Sequence, residues 1–137
     1  MISTRGRYAI RVILDIANNQ KDGYVPMKDV ASRQGLSLKY LEQILPTLTK
    51  NKILEGVQGK GGGYRLVKSL DQYTVGDVLR ATEKDLAPVS CLASGAKECE
   101  RRSQCRTIGF WEGLNEVINN YLDSKTLAGA MFFCAPP

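Results

Sequence analysis

The chain has 137 residues and a mass of 15.1 kDa, with 43% hydrophobic and 24% charged residues. These values fit one soluble domain, with or without a helical arm, and exclude a large α/β enzyme, a collagen-like fibre and a fully disordered segment. The net charge of +5 is uneven: residues 1–70 hold 12 basic and 5 acidic side chains, while residues 71–137 hold 7 and 9. A basic first half suits either a polyanionic partner or a solvated face.

No stretch approaches the roughly 18 apolar residues of a membrane span. The opening MISTRGRYAI lacks the apolar run and cleavage site of a signal peptide. A cytoplasmic protein with no membrane partner is expected. Cys91, Cys99, Cys105 and Cys134 all lie beyond residue 90, unlike the cysteines of a stapled secreted fold. Histidine is absent, which rules out Ser-His-Asp and Cys-His catalysis within one chain. No other acid–base constellation stands out, and no enzyme is expected.

Ser3 or Thr4 can cap a first helix running to about Asn19, with Ala9, Ile10, Ile13, Ile16 and Ala17 at helical spacing. Asp22-Gly23 marks a turn, and Pro26 suits the entry to a second helix over residues 27–34, which Gly35 breaks. Ser37 caps a third helix over residues 37–51, whose apolar stripe is Leu38, Leu41, Ile44, Leu45 and Leu48. Pro46 falls inside this stripe, and the periodicity on both sides predicts one bent helix rather than two segments.

Extended runs at residues 53–58 and 64–67 flank Gly59-Lys60-Gly61-Gly62-Gly63, the composition of a tight hairpin. The glycines lack the spacing of a phosphate-binding loop. Thr74 and Asp77 form a capping pair for a helix over residues 75–83. Residues 85–105 form a loop with three cysteines, and a long helix covers residues 104–123 with Phe110, Trp111, Leu114, Val117, Ile118, Tyr121 and Leu122 on one broad stripe. The tail after Thr126 is expected to be partly ordered or frayed. Neither an internal repeat nor an interdomain linker is evident.

A helix pair around Gly35 followed by a basic glycine-rich hairpin predicts a winged helix–turn–helix, mainly α with a small β-hairpin wing. Its third helix can enter a major groove, where Ser37, Lys39, Tyr40, Gln43 and Thr47 would face the bases. Arg5, Arg7, Arg11, Lys28, Lys50, Lys52 and Lys60 are candidates for phosphates or groove walls. The same stripes would also serve a plain three-helix core. Cys91, Cys99 and Cys105 follow C-x7-C-x5-C, a spacing equally open to free core thiols, a zinc site, or a cluster or redox site.

Taken together, ISTRGRYAI, LSLKYLEQILPTL, GVQGKGGGYRL and the three-cysteine loop resemble the IscR-type family of bacterial winged-helix regulators over nearly all of residues 1–128. That group includes iron–sulfur assembly regulators, nitric-oxide-sensing repressors and cysteine-metabolism repressors. The resemblance implies a homodimer joined through its long helices and bound to pseudo-palindromic promoter DNA, with half-sites about 34 Å apart or a multiple of that. It divides the chain into a DNA-binding domain (1–83), a sensor loop (84–106), a dimerisation helix and arm (104–128) and a tail (129–137).

Residues 38–43 then begin the recognition helix, with Glu42 placed to accept from a cytosine amino group or to orient a basic neighbour. Gln58 stands where such wings often carry a minor-groove arginine. The resemblance also implies a cluster, [2Fe-2S] in one subgroup, held by Cys91, Cys99 and Cys105. Relatives usually show C-x5-C-x5-C, two residues shorter in the first gap. Their histidine ligand is replaced here by Ile108, and the aspartate of another subgroup by the Arg7-Tyr8 region. The fourth ligand is left to Glu98, Glu100, Glu112, Cys134, backbone or an exogenous group. The expected function is a regulator, acting mainly as a repressor, that senses cluster or redox status. The alternatives are a cysteine-metabolism repressor controlled by a partner protein and a non-DNA-binding iron–sulfur delivery module.

Overall fold

A computed structural model describes residues 2–21 and 23–131. Met1, Asp22 of the expected Asp22-Gly23 turn, and residues 132–137, including Cys134, lie outside the described residues. Among the described residues, six α-helices and one hairpin follow in the order α1 (Thr4–Asn19), α2 (Met27–Gln34), α3 (Leu38–Lys50), β1 (Leu54–Val57), β2 (Gly63–Leu66), α4 (Val75–Thr82), α5 (Ile108–Ser124) and α6 (Leu127–Met131). Among the described residues, no helix is long and apolar enough to cross a membrane.

The helix boundaries follow local chemistry. Ser3 accepts from the Gly6 amide at the start of α1, and Ser37 accepts from the Tyr40 amide at the start of α3. Gly35 ends α2 in the left-handed conformation, φ 66°, and donates to the Ala31 carbonyl. Pro46 is accommodated within a single α3, as its flanking stripe predicts. Thr74 and Asp77 complete a reciprocal capping box on α4, at 3.0 and 2.9 Å.

Helices α1, α2 and α3 pack around Val12, Ile13, Ile16, Val30, Leu41, Ile44 and Leu48, each fully buried. The antiparallel hairpin closes one side, with Leu54 opposite Leu66 and Val57 opposite Gly63. Val25 bridges to Tyr64, giving the hairpin a third extended neighbour. Leu79, Leu86 and Leu122 form a smaller core between α4 and α5. There, Arg80 donates to Asp123 at 2.6 Å and to Asn119 at 2.9 Å.

One helix start differs from expectation. The long helix begins at Ile108 rather than 104, because Arg102–Gln104 forms a separate 3-10 turn. It ends at Ser124, and the described part of the segment after Thr126 is ordered. Val75 donates to the Lys125 carbonyl, Leu127 donates to the Tyr73 carbonyl, and the Leu127 side chain is fully buried in the main core. Helix α6 is thus anchored, the ordered part of a tail expected to be partly ordered or frayed.

Candidate nucleic-acid interface and thiol loop

Helix α3 divides into two faces, except that Leu38, expected in the apolar stripe, is 45% exposed. Leu41, Ile44, Leu45 and Leu48 point into the core, while Lys39, Glu42, Gln43 and Lys50 are exposed and Tyr40 and Thr47 are half-buried. Ser37 is exposed beside this face, with its hydroxyl oxygen used as the cap. Lys28 on α2, and Gln58 and Lys60 at the hairpin tip, are also exposed. The fold therefore brings a polar helix face and a basic hairpin to the surface, an arrangement that can meet a groove and its flanking phosphates.

Several basic residues already have intramolecular roles. Arg5 donates to the Gln43 carbonyl and to the Thr47 hydroxyl, both at 3.0 Å, joining the start of α1 to α3. Arg7 donates to the Thr4 hydroxyl at 3.2 Å. Arg11 donates to the side chain and the carbonyl of Gln34, at 3.1 and 2.8 Å. Sequence inspection also missed contributors whose partners are distant along the chain. Tyr8 meets Tyr40 edge-to-face with centroids 5.8 Å apart. Arg65 donates to Glu55 at 2.6 Å and lies over the Tyr24 ring. The Glu55–Arg65 pair had a signal, since hairpin register sets the two residues opposite each other.

The loop between α4 and α5 carries three free cysteines: Cys91 and Cys105 half-buried, and Cys99 exposed. Asp85 folds its first part, accepting from the Ala87 and Ser94 amides at 2.6 and 2.7 Å. These bonds hold the Asp85 carboxyl below its usual range. Arg102 ties the second part to α5 by donating to Glu112 at 2.7 Å. Cys105 Sγ lies 3.5 Å from the Thr107 hydroxyl. That side-chain bond first, then the Thr107 and Ile108 amides and the Arg102 charge, holds the Cys105 thiol below its ordinary pKa.

Thiolates are the right donors for an iron–sulfur cluster, and this loop offers three. Their arrangement is not a preformed cage: among the described residues, no three Cys, Asp or Glu side chains are grouped to hold a metal ion. Glu112 is engaged by Arg102, and Cys134 lies outside the described residues. Leu86 is the one buried side chain among residues 84–107, so gathering the thiols would sacrifice little packing.

Comparison with known proteins identifies the wider group. The family model Rrf2, described as an iron-dependent transcriptional regulator, matches residues 2–131. The HTH-type transcriptional regulator IscR of Yersinia pestis is 39% identical over 127 residues, which cover 93% of this chain and 76% of the relative. Among solved structures, IscR of T. potens has a TM-score of 0.73 at 31% identity, covering 100% of this chain and 93% of that one. CymR, the global cysteine regulator of B. subtilis, has a TM-score of 0.77 at 27% identity, with 98% of each chain covered. These relatives are winged-helix regulators and not enzymes. With a family match over nearly all of its length and the same hairpin-bearing helical fold, this chain belongs to the Rrf2 family of transcriptional regulators.

Proposed function

We propose that the protein acts in the cytoplasm as a homodimeric repressor at pseudo-palindromic promoter DNA, and that its thiol loop makes DNA binding depend on iron–sulfur or redox status. The observation that carries this reading is the position of Cys91, Cys99 and Cys105. All three lie on the one segment joining the winged module to α5. A change in that segment reaches both the DNA-binding unit and α5, whose Phe110, Val117 and Tyr121 are exposed. Ser37, Lys39, Tyr40, Glu42, Gln43 and Thr47 are the proposed groove-facing residues. Arg7, Lys28, Lys50, Gln58 and Lys60 flank them, with Arg5 bracing α3. Cys91, Cys99 and Cys105 would hold the cluster, with the fourth ligand outside this set. A bound cluster supplies sensitivity to oxygen, nitric oxide or iron supply.

The reading is tested by purifying the full chain without oxygen, recording its visible spectrum, and measuring iron and acid-labile sulfide per chain. Cluster absorption that disappears in Cys91→Ser, Cys99→Ser or Cys105→Ser supports it. No iron or sulfide after attempted reconstitution removes the cluster and leaves thiol oxidation or a protein partner in control. A second reading, a regulator of cysteine metabolism controlled by a partner protein, draws on the ungrouped thiols and the likeness to CymR. Metal-free protein whose DNA affinity ignores oxidants but responds to a co-purifying enzyme would favour it.

A further inference from the structure

We propose that Tyr8 and Arg11 are positioning residues for Tyr40, and that through Tyr40 they set the protein's preference among DNA sequences. This rests on the reading of α3 as the recognition helix. Tyr40 lies in the first turn of α3, half-buried, and its hydroxyl has no hydrogen-bond partner among the described residues. Its ring is nevertheless restrained: Tyr8 meets it edge-to-face at an interplanar angle of 82°. A ring held this way with a free hydroxyl is pre-organised to donate or accept at a base edge.

Tyr8 is restrained in turn. The Arg11 guanidinium carbon lies 4.9 Å from the centre of its ring. Arg11 does not reach outward from there, because Nε and Nη2 donate to the side-chain oxygen and the carbonyl of Gln34. The carbonyl is an open acceptor at the C-terminus of α2, where a cation is favoured. Gln34 Nε2 donates to Asp15 at 2.8 Å, and Arg33 holds the same carboxylate through two nitrogens. The chain Arg33–Asp15–Gln34–Arg11–Tyr8–Tyr40 thus runs from the junction of α1 and α2 to the exposed face of α3. Its geometry assigns Arg11 to intramolecular support, although its charge and exposure alone resemble those of a phosphate contact.

The test uses full-length protein and a duplex selected by it from a randomised library, measured against the single-base variants of that duplex at several salt concentrations. Tyr40→Ala should reduce discrimination at a defined subset of bases. Tyr8→Leu and Arg11→Ala should reduce it about two- to tenfold at the same bases, the size of one aromatic pair. Neither should add to Tyr40→Ala in the double variant, and both should leave the salt dependence unchanged. Tyr8→Phe should restore discrimination, because the ring is kept. Arg11→Lys keeps the charge but loses the two-pronged bond, and should behave like Arg11→Ala. Thermal melting of each variant separates these effects from unfolding.

The proposal is overturned if Arg11→Ala weakens all duplexes equally and lowers the salt slope by about one, the signature of a lost phosphate contact. It is also overturned, with the reading of Tyr40 intact, if Tyr40→Ala alters discrimination and Tyr8→Leu does not. No change in discrimination from Tyr40→Ala would instead overturn Tyr40 as a base reader.

Discussion

Asp15 is a buried carboxylate on an otherwise apolar face of α1, with 3% of its side chain exposed. Burial alone would raise its pKa. Hydrogen bonds from Arg33 and Gln34, with the Arg33 charge, reverse that effect and hold the carboxyl below its ordinary value. Because the native value is depressed, Asp15 adds stability above the unfolded carboxylate pKa of about 3.9, and that stability is lost as pH falls through the native value. Asp15→Asn should therefore lower stability at pH 7 by about 1–3 kcal/mol, the usual cost of removing the charged partner from a hydrogen-bonded group. The gap in melting temperature between the two proteins should narrow below about pH 4. A gap of the same size at pH 3 and pH 7 would show that the Asp15 charge contributes nothing. From sequence, Asp15 reads only as a break in an apolar run. Its partners arrive from α2, and no local spacing announces them.

Each strand of the wing has four residues, too few for a stable two-stranded hairpin on its own. Its order depends on the chain before α2. Val25 donates to the Tyr64 carbonyl at 2.8 Å and accepts from the Tyr64 amide at 2.9 Å. Gly63 has φ 146°, and a Cβ at that position would collide with the Val25 carbonyl. Gly63→Ala should detach the hairpin from Val25 at a cost of about 1–3 kcal/mol, with fast amide exchange at Val25 and Tyr64. Amides in the centres of α1 and α3 should stay protected, and DNA affinity should fall. Exchange that leaves Val25 and Tyr64 protected would remove Gly63 as the element that seats the wing. The helices and the hairpin were legible because their signals are local: Ser37 with Tyr40, Thr74 with Asp77, and a glycine run between two extended segments. The Val25 bridge was not legible, because its two sides meet only after the helices pack. Helix α6 escaped for the same reason, since its start is held by backbone pairing with Tyr73 and Thr74, distant along the chain. In the functional region, periodicity separated the core face of α3 from its polar face. It could not show that Arg5 and Arg11 are engaged within the molecule, because charge marks a residue without naming its partner.

Across the whole molecule, the first turn of α1 is a junction. Ser3 donates through its amide and its hydroxyl to Glu83, both at 2.8 Å, while Arg5 holds α3. Glu83 directly follows α4, at the entrance to the thiol loop, and Arg80 links α4 to α5. The entrance to the loop is thus joined to the first turn of α1, and through Arg5 to α3, by a few polar bonds. The other end of this connection is α5, whose Phe110, Val117 and Tyr121 are 67%, 63% and 60% exposed. Ile2, Leu86, Val117, Ile118, Tyr121 and Leu122 line an apolar hollow of about 360 Å³ there. Exposed apolar surface of this kind suits a contact site, and in the proposed homodimer a second copy of α5 would present the same apolar side chains in return. Val117→Glu should therefore leave the fold and melting of the monomer nearly unchanged, since the side chain is mostly exposed, while converting a dimer to a monomer in sedimentation equilibrium. Two linked DNA-binding modules gain about 10²–10⁴-fold in affinity over one. The Val117→Glu protein should lose a factor of that order on a two-half-site duplex and keep the wild-type affinity for a single half-site. Equal losses on both duplexes would place the damage in the winged module. A variant that remains dimeric with full affinity would move the contact to another face.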